Sequence, residues 1–217
     1  MKVAVIGATG STGALVIDRL LARGHAVVAI GRSPAPAREP ATTYTVKTGD
    51  LTSVDFLATA IDGCDGVISC LGQNRASKSL FAKRTSPADL LRNVARATIA
   101  AIGSDRHQRL IYLSAFGVGE DMPKHRMFFR LVLRLSSIHD AYVDHAAAEA
   151  AIKASTVAWT IVKPPGLTDA ATDVRLIDKS AAWSSFESTS KTSLAAFLVE
   201  CAEDPATVGR SITPGEP

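Results

Sequence analysis

The residues of this 217-residue chain whose types and spacing point most directly to chemistry lie near its start: Gly7-Ala8-Thr9-Gly10-Ser11-Thr12-Gly13. The glycines are spaced G-x-x-G-x-x-G. An apolar run, Val3-Ala4-Val5-Ile6, precedes them, and an apolar-periodic stretch from Ala14 to Leu21 follows. A buried strand, a glycine turn and a helix N-terminus in that order aim free backbone N–H groups and the positive helix end at one point. That is an anion site. Gly7 permits the tight turn, Gly10 lets the backbone approach a pyrophosphate, and Gly13 lets the helix pack close to the strand. Thr9, Ser11 and Thr12 stand on the same turn and belong to the same predicted site.

Other candidates follow the ends of later apolar runs. Ala26 to Ile30 ends at Gly31-Arg32-Ser33. Many NAD-binding sheets place an acid there for the ribose 2′-hydroxyl. Here a cation takes the place, and no acid occurs before Glu39. Arg32, with Ser33 beside it, suits a 2′-phosphate through charge-assisted, often bidentate bonds. The expected cofactor is therefore NADP(H) in preference to NAD(H); a solvated arginine on a proline-rich loop is the plain alternative. Ser114 follows the run Leu110 to Leu113. It is either a hydrogen-bond donor in catalysis or a strand-end serine that satisfies backbone and cofactor amides, and both readings stay open.

The elements that must position these residues alternate along the chain. Strands are expected at Val3–Ile6, Ala26–Ile30, Tyr44–Thr48, Val67–Leu71, Leu110–Leu113 and Val157–Val162, with a short last one at Ser211–Thr213. Helices are expected from Ala14 to Leu21, from Thr52 or Ser53 to Ile61, and from Ser86 to Ile102. In the last of these Ser86 is the cap and Pro87 the first helical residue. Two more are expected about Arg126 to Ser136 and Asp140 to Ala154, and another at Leu194–Glu203. The alternation predicts an α/β fold, a single doubly wound parallel sheet (Rossmann fold) with helices on both faces. One domain over 1–217 is expected, with the cofactor site mainly in 1–118 and the substrate-cleft elements mainly in 119–217.

Composition narrows the class. Hydrophobic residues make up 47% and charged ones 21%, which excludes a disordered chain. A net charge of +3 without Lys/Arg blocks suits an anionic cofactor and not nucleic acid. Cys64, Cys70 and Cys201 are scattered and odd in number, as in a reducing cytoplasm. No apolar run reaches the ~18–20 residues of a membrane span, so a soluble cytoplasmic protein is expected.

With these residues in view, the chain resembles the atypical short-chain dehydrogenase/reductases, in their NAD(P)H-binding, NmrA-like branch. Within that branch it is most similar to the biliverdin reductase and flavin reductase group. The glycine turn, Gly49-Asp50-Leu51, Cys70-Leu71-Gly72, Leu113-Ser114-Ala115-Phe116 and Thr160-Ile161-Val162-Lys163-Pro164-Pro165 carry the likeness. The resemblance implies that Asp50 and Leu51 lie by the adenine and Leu71-Gly72 along the cofactor. It implies that Ser114 and Pro165-Gly166 lie near the nicotinamide, and it adds Arg75 and Lys163 to the cofactor contacts.

There are departures. No Tyr-x-x-x-Lys pair is present: Tyr142 and His145 are three apart and no lysine follows at the required distance. Gly166 stands where the biliverdin-reductase type carries a histidine, and Lys163 where many relatives have arginine. The resemblance therefore implies an enzyme without a tyrosine acid. The expected activity is that of an NADPH-dependent reductase passing hydride to a flat conjugated acceptor such as a flavin, a quinone or a tetrapyrrole. A non-catalytic NADP(H)-binding redox sensor is the alternative. The expected partner is a small-molecule acceptor, and the expected state a monomer or weak homo-oligomer.

His139, Asp140, Asp144, His145 and Glu149 are metal-ligand types on one predicted helix, with His145 and Glu149 on one face. The family needs no metal, so none is expected. Arg126, Arg130 and Arg134 form one stripe of a predicted helix expected to cover a sheet edge or the substrate cleft; a basic face lying on a membrane or a partner is the alternative.

Overall fold

A computed structural model describes residues 1–39, 42–73, 84–103, 107–124, 136, 138–180 and 188–217. Its first six strands are β1 (Lys2–Ile6), β2 (Ala26–Gly31), β3 (Tyr44–Thr48), β4 (Gly66–Ser69), β5 (Arg109–Leu113) and β6 (Ala158–Val162). Five shorter ones follow: β7 (Gly166–Thr168), β8 (Ile177–Asp178), β9 (Ser188–Ser190), β10 (Arg210–Ile212) and β11 (Pro214–Gly215). The described helices are α1 (Ser11–Ala22), α2 (Val54–Ala60), α3 (Leu90–Ile102), α4 (His139–Lys153) and α5 (Lys191–Glu203).

Seven parallel strands form one sheet in the order β10-β6-β5-β4-β1-β2-β3. The chain runs outward from β1 to β3, then returns to the other side of β1. The crevice at the carboxyl ends of β1 and β4, where the order reverses, is where such a sheet receives ligands.

Side chains alternate across the strands and sort the core into two layers. Val3, Val5, Ala29, Ile68, Ile111 and Val162 pack with Val16, Ile17 and Leu20 of α1 and Leu194 and Leu198 of α5. Ala4, Ile6, Val28, Ile30, Val67, Leu110 and Ile161 face the other way, against Leu57 of α2, Val94 and Ile102 of α3 and Ile152 of α4. The inner strands read as near-continuous apolar runs because both faces are covered, whereas the edge strand β3 alternates.

The local signals at the first two helices hold. Ser53 caps α2, its hydroxyl accepting the Phe56 N–H at 3.3 Å. Helix α1 ends at Arg23, followed by Gly24 in a left-handed conformation at φ +78°.

The start of α3 differs from expectation. It begins at Leu90 rather than at Pro87, and Ser86 does not cap it. The cap comes from another helix: the buried Asp144 carboxylate of α4 accepts the Leu91 and Arg92 N–H groups at 2.9 and 3.0 Å. A charged acceptor held by the tertiary fold satisfies these first-turn donors better than a local hydroxyl.

The last strand lies at Arg210–Ile212, within a residue of expectation, and α5 starts three residues earlier, at Lys191. Strands β7, β8, β9 and β11 are two or three residues long, too short to show a period. Arg75 and the expected helix over 126–136, except Ser136, lie outside the described residues.

Candidate active site

The glycine turn is built by contact with β2. The Gly7 and Ala8 N–H groups both donate to the Ile30 carbonyl, at 3.0 and 3.2 Å, and Gly10 N–H donates to Gly7 O at 3.0 Å. Gly7 sits at φ +86°, where a side chain is strained, and a Cβ there would press on the Cys70 backbone at 3.2 Å. At Gly13 a Cβ would overlap the Gly7 carbonyl oxygen and stand 2.9 Å from its carbon. Gly13 thus seats α1 directly on the turn.

The N-terminus of α1 has no acid in its first turn and no side-chain cap, its N-cap being Gly10. Serines cap α2 and α5, and Asp144 caps α3. The free first-turn N–H groups of α1 therefore fit an anion such as a diphosphate, and no side chain competes for them.

Two cavities meet in front of this turn. The first, of about 290 Å³, is lined by Gly7, Thr9, Gly10, Leu51, Leu71 and Gly72, with Arg32 and Ser33 at its β2 side. Gly31, Cys70 and Leu90 complete the wall. Arg32 is exposed and makes no ion pair or hydrogen bond among the described residues. Asp50 is not in the lining: its carboxylate accepts the Thr52 N–H and hydroxyl at 2.9 and 2.8 Å. Those bonds hold its carboxyl below the usual range, the backbone bond contributing most.

The second cavity, of about 450 Å³, is lined by Ser11, Thr12, Gln73, Leu113, Ser114 and His145, with Leu167 and Lys191 opposite. Gly10, Cys70, Leu71 and Gly72 line both, so the two are one cleft along the carboxyl ends of β1, β4 and β5.

Behind Ser114 lies a buried polar cluster. Its hydroxyl donates to Glu149 Oε1 at 2.5 Å. Glu149 Oε2 receives the Lys163 ammonium at 3.1 Å, and Lys163 also pairs with Asp121 at 2.5 Å and donates to Val118 O at 2.9 Å. Burial raises the Glu149 carboxyl above its usual range; Lys163 and Ser114 pull the other way without cancelling it.

Beside this cluster, the buried Tyr112 hydroxyl meets His145 Nδ1 at 2.9 Å, its one partner among the described residues. Burial raises the Tyr112 phenol well above its usual range, and burial lowers His145 to about 4. The direction of that bond follows the tautomer: when the phenol donates to Nδ1, the neutral ring carries its own proton on Nε2. Tyr142 donates to the Phe116 carbonyl at 3.1 Å. Among the described residues, both tyrosine hydroxyls are bonded to protein partners.

The cleft thus gathers Gly7, Thr9, Gly10, Ser11, Thr12, Arg32, Ser33, Leu51, Leu71, Gly72 and Ser114 of the predicted site. It does not gather Gly13, which packs behind the turn, or Asp50. Lys163 is 1% exposed and held in the ion cluster. Pro165 and Gly166 lie just before Leu167, outside both linings.

The sequence reading missed Cys70, Leu90, Leu167 and Lys191 as lining residues, and missed Tyr112 and Asp121 as buried partners. It treated Glu149 only as a metal-ligand type. The signal was present: Glu149 is a lone acid in the run Ala146-Ala147-Ala148-Glu149-Ala150-Ala151, where helical apolar neighbours imply burial. Among the described residues no group of three His, Cys, Asp or Glu side chains is placed to hold a metal ion. No described helix is long and apolar enough to cross a membrane.

Residues 7–205 match the model of a family described as NAD(P)H-binding. Among curated proteins, no sequence matches the chain. The solved structures similar to it include the oxidoreductase YlbE from Lactococcus lactis, 19% identical, with a TM-score of 0.78, covering 100% of this chain and 91% of that one. ChuY from Escherichia coli O157:H7, described as an anaerobilin reductase, is 21% identical, with a TM-score of 0.75 and 100% and 98% covered. A short-chain dehydrogenase/reductase from Veillonella parvula in complex with NADP is 16% identical, with a TM-score of 0.75 and 100% and 94% covered. These likenesses establish the fold.

Proposed function

The chain belongs to the NAD(P)H-binding family, and from that premise we propose that it is an NADPH-dependent reductase acting on a flat, conjugated acceptor such as a flavin, quinone or tetrapyrrole. One observation carries the reading: a single cleft joins a helix N-terminus with no side-chain cap and an arginine unpaired among the described residues to Ser114 and His145 at the other end.

In this reading the first-turn N–H groups of α1 take the diphosphate and Arg32 with Ser33 takes a 2′-phosphate. Leu51 packs on the adenine. Bound NADPH supplies the hydride; the protein positions the reacting groups and excludes water. Ser114 and His145 line the acceptor end, where a hydrogen-bond donor stabilises charge that develops on the reduced acceptor.

The acceptor class rests on the two tyrosines. With both hydroxyls turned to protein partners, a carbonyl that needs a strong acid beside it is poorly served. A conjugated acceptor spreads its charge and takes its proton from water. The description of ChuY as an anaerobilin reductase supports a reductase of this kind.

The test is steady-state NADPH oxidation with FMN, a simple quinone, a tetrapyrrole and a carbonyl panel, beside a binding titration. Turnover of a conjugated acceptor is expected. Ser114→Ala should lower that turnover about tenfold with NADPH affinity nearly unchanged. Wild-type protein that binds NADPH yet turns over no acceptor would overturn the reductase reading in favour of a redox sensor.

A further inference from the structure

We propose that Glu149 is a positioning residue: through its bond to Ser114 Oγ, the proton on its carboxyl decides whether the Ser114 hydroxyl donates into the cleft or only accepts there. The inference rests on the reductase reading of the same cleft. A serine hydroxyl has one proton. With Glu149 ionised, that proton lies on the 2.5 Å line to Oε1, and Ser114 shows the cleft only lone pairs. With Glu149 protonated, Oε1–H donates to Ser114 Oγ, and the serine proton is released toward the acceptor. The Ser114 backbone N–H is already bound to Val162 O at 2.8 Å and cannot substitute as a donor.

The surroundings balance the two forms. Lys163, at the end of β6, favours the carboxylate, but it divides its charge between Glu149 and Asp121 of the 119–124 turn. Lys153, on the same helix, points to Glu120 at 2.6 Å. His145, one turn earlier on α4, is bonded to Tyr112 of β5, and neither brings a charge to Glu149 while both stay neutral. Burial opposes these cations and favours the protonated form. Glu149 is 3% exposed and lines neither cavity, and it bonds Ser114, which lines the second.

The consequence is a rate that falls as pH rises through the Glu149 titration, above the ordinary glutamate range. Glu149→Gln tests it. The Lys163 ammonium, a donor only, turns the amide oxygen toward itself and leaves the amide N–H for Ser114, which mimics the protonated acid at every pH. Wild-type kcat should fall about tenfold from acid to alkaline pH, matching the loss of one donor. Glu149→Gln should hold the acid-side rate throughout, and Ser114→Ala should be slow and flat.

Apoprotein melting gives a second readout. Because the folded carboxyl titrates above its unfolded value, the folded state holds more protons in that interval, and stability is lost as pH rises through it. Wild type should therefore lose melting temperature relative to Glu149→Gln over that pH range. A variant as slow as Ser114→Ala with the wild-type pH slope would show Glu149 to be merely structural. Should Glu149→Gln not fold, a ¹³C NMR titration of the wild-type carboxyl decides: its midpoint must coincide with that of kcat, and a midpoint in the ordinary glutamate range overturns the proposal. If wild type reduces nothing, the reductase reading fails, while the melting and NMR titrations still report on Glu149.

Discussion

Replacing Gly13 by alanine adds one methyl group at the seat of α1 on the glycine turn. That carbon would overlap the Gly7 carbonyl oxygen and lie 2.9 Å from the carbonyl carbon. Non-bonded carbons sit at about 3.5–4.0 Å, so the first turn of α1 must retreat by about 1 Å. The obstacle is backbone on both sides, and no rotamer relieves it. Overpacking of this kind costs about 1–3 kcal/mol, against a helix-propensity gain of about 0.5–1 kcal/mol for Gly→Ala. A net loss of about 1–2 kcal/mol lowers the melting temperature by roughly 2–8 °C for a chain of this size. The same retreat draws the α1 N–H groups off the anion, so NADPH affinity should fall with stability. Gly72→Ala, where a Cβ meets nothing within 4 Å, is the control for melting without NADPH; because Gly72 lines the cleft, the NADPH shift is compared with wild type. Differential scanning fluorimetry with and without NADPH separates the two. If Gly13→Ala melts with wild type and gains the same NADPH shift, α1 is not seated as described.

Two further outcomes follow from the cleft. Arg32→Ala should weaken NADPH by about 10- to 150-fold, the loss of a charge-assisted bond worth about 1.5–3 kcal/mol. NADH should be little affected, and equal weakening of both by calorimetry would remove Arg32 as a phosphate reader. His145 is held neutral, its pKa lowered to about 4, so the unfolded chain binds its proton first and stability is lost as pH falls from about 6.5 toward 4. The loss is on the order of 3 kcal/mol at the acid end. His145→Gln should show a smaller drop in melting temperature between pH 7 and 4.5, and an unchanged drop would mean that His145 is not the acid-sensitive group.

The fold was legible because its signals are local and repeated. Five of the six long strands are largely apolar runs, the edge strand β3 being the alternating and mostly exposed exception, and Ser53 and Gly24 mark ends where they stand in the sequence. The glycine-turn end of the cleft was legible for the same reason, since Gly7, Gly10 and Gly13 shape one turn. The acceptor end was not. Ser114, His145 and Glu149 come together because β5 and α4 cross in space, and nothing in the spacing of 114, 145 and 149 encodes a 2.5 Å contact. The α3 cap fails as a local reading for the same reason. Ser86 and Pro87 carry the right residue types, but Asp144, more than fifty residues on, takes the role. Arg32 was visible as a cation in place of an acid; that it stands without a partner among the described residues was not.

The contact between the glycine turn and β2 also sets an order of events during synthesis. Ile30 O accepts both Gly7 and Ala8 N–H, so the turn has all its backbone partners once β1, α1 and β2 have left the ribosome. The acceptor end needs β5, α4 and β6, more than a hundred residues further along. At about 5–20 residues per second, the glycine-turn half of the cleft precedes the Ser114 half by several seconds or more. Until β4 pairs with it, β1 presents the bare, apolar edge Val3-Ala4-Val5-Ile6. An unpaired edge of this kind invites pairing with another chain. The segment that closes it, Gly66–Ser69, therefore guards the nascent protein against aggregation as well as completing the floor of the cleft.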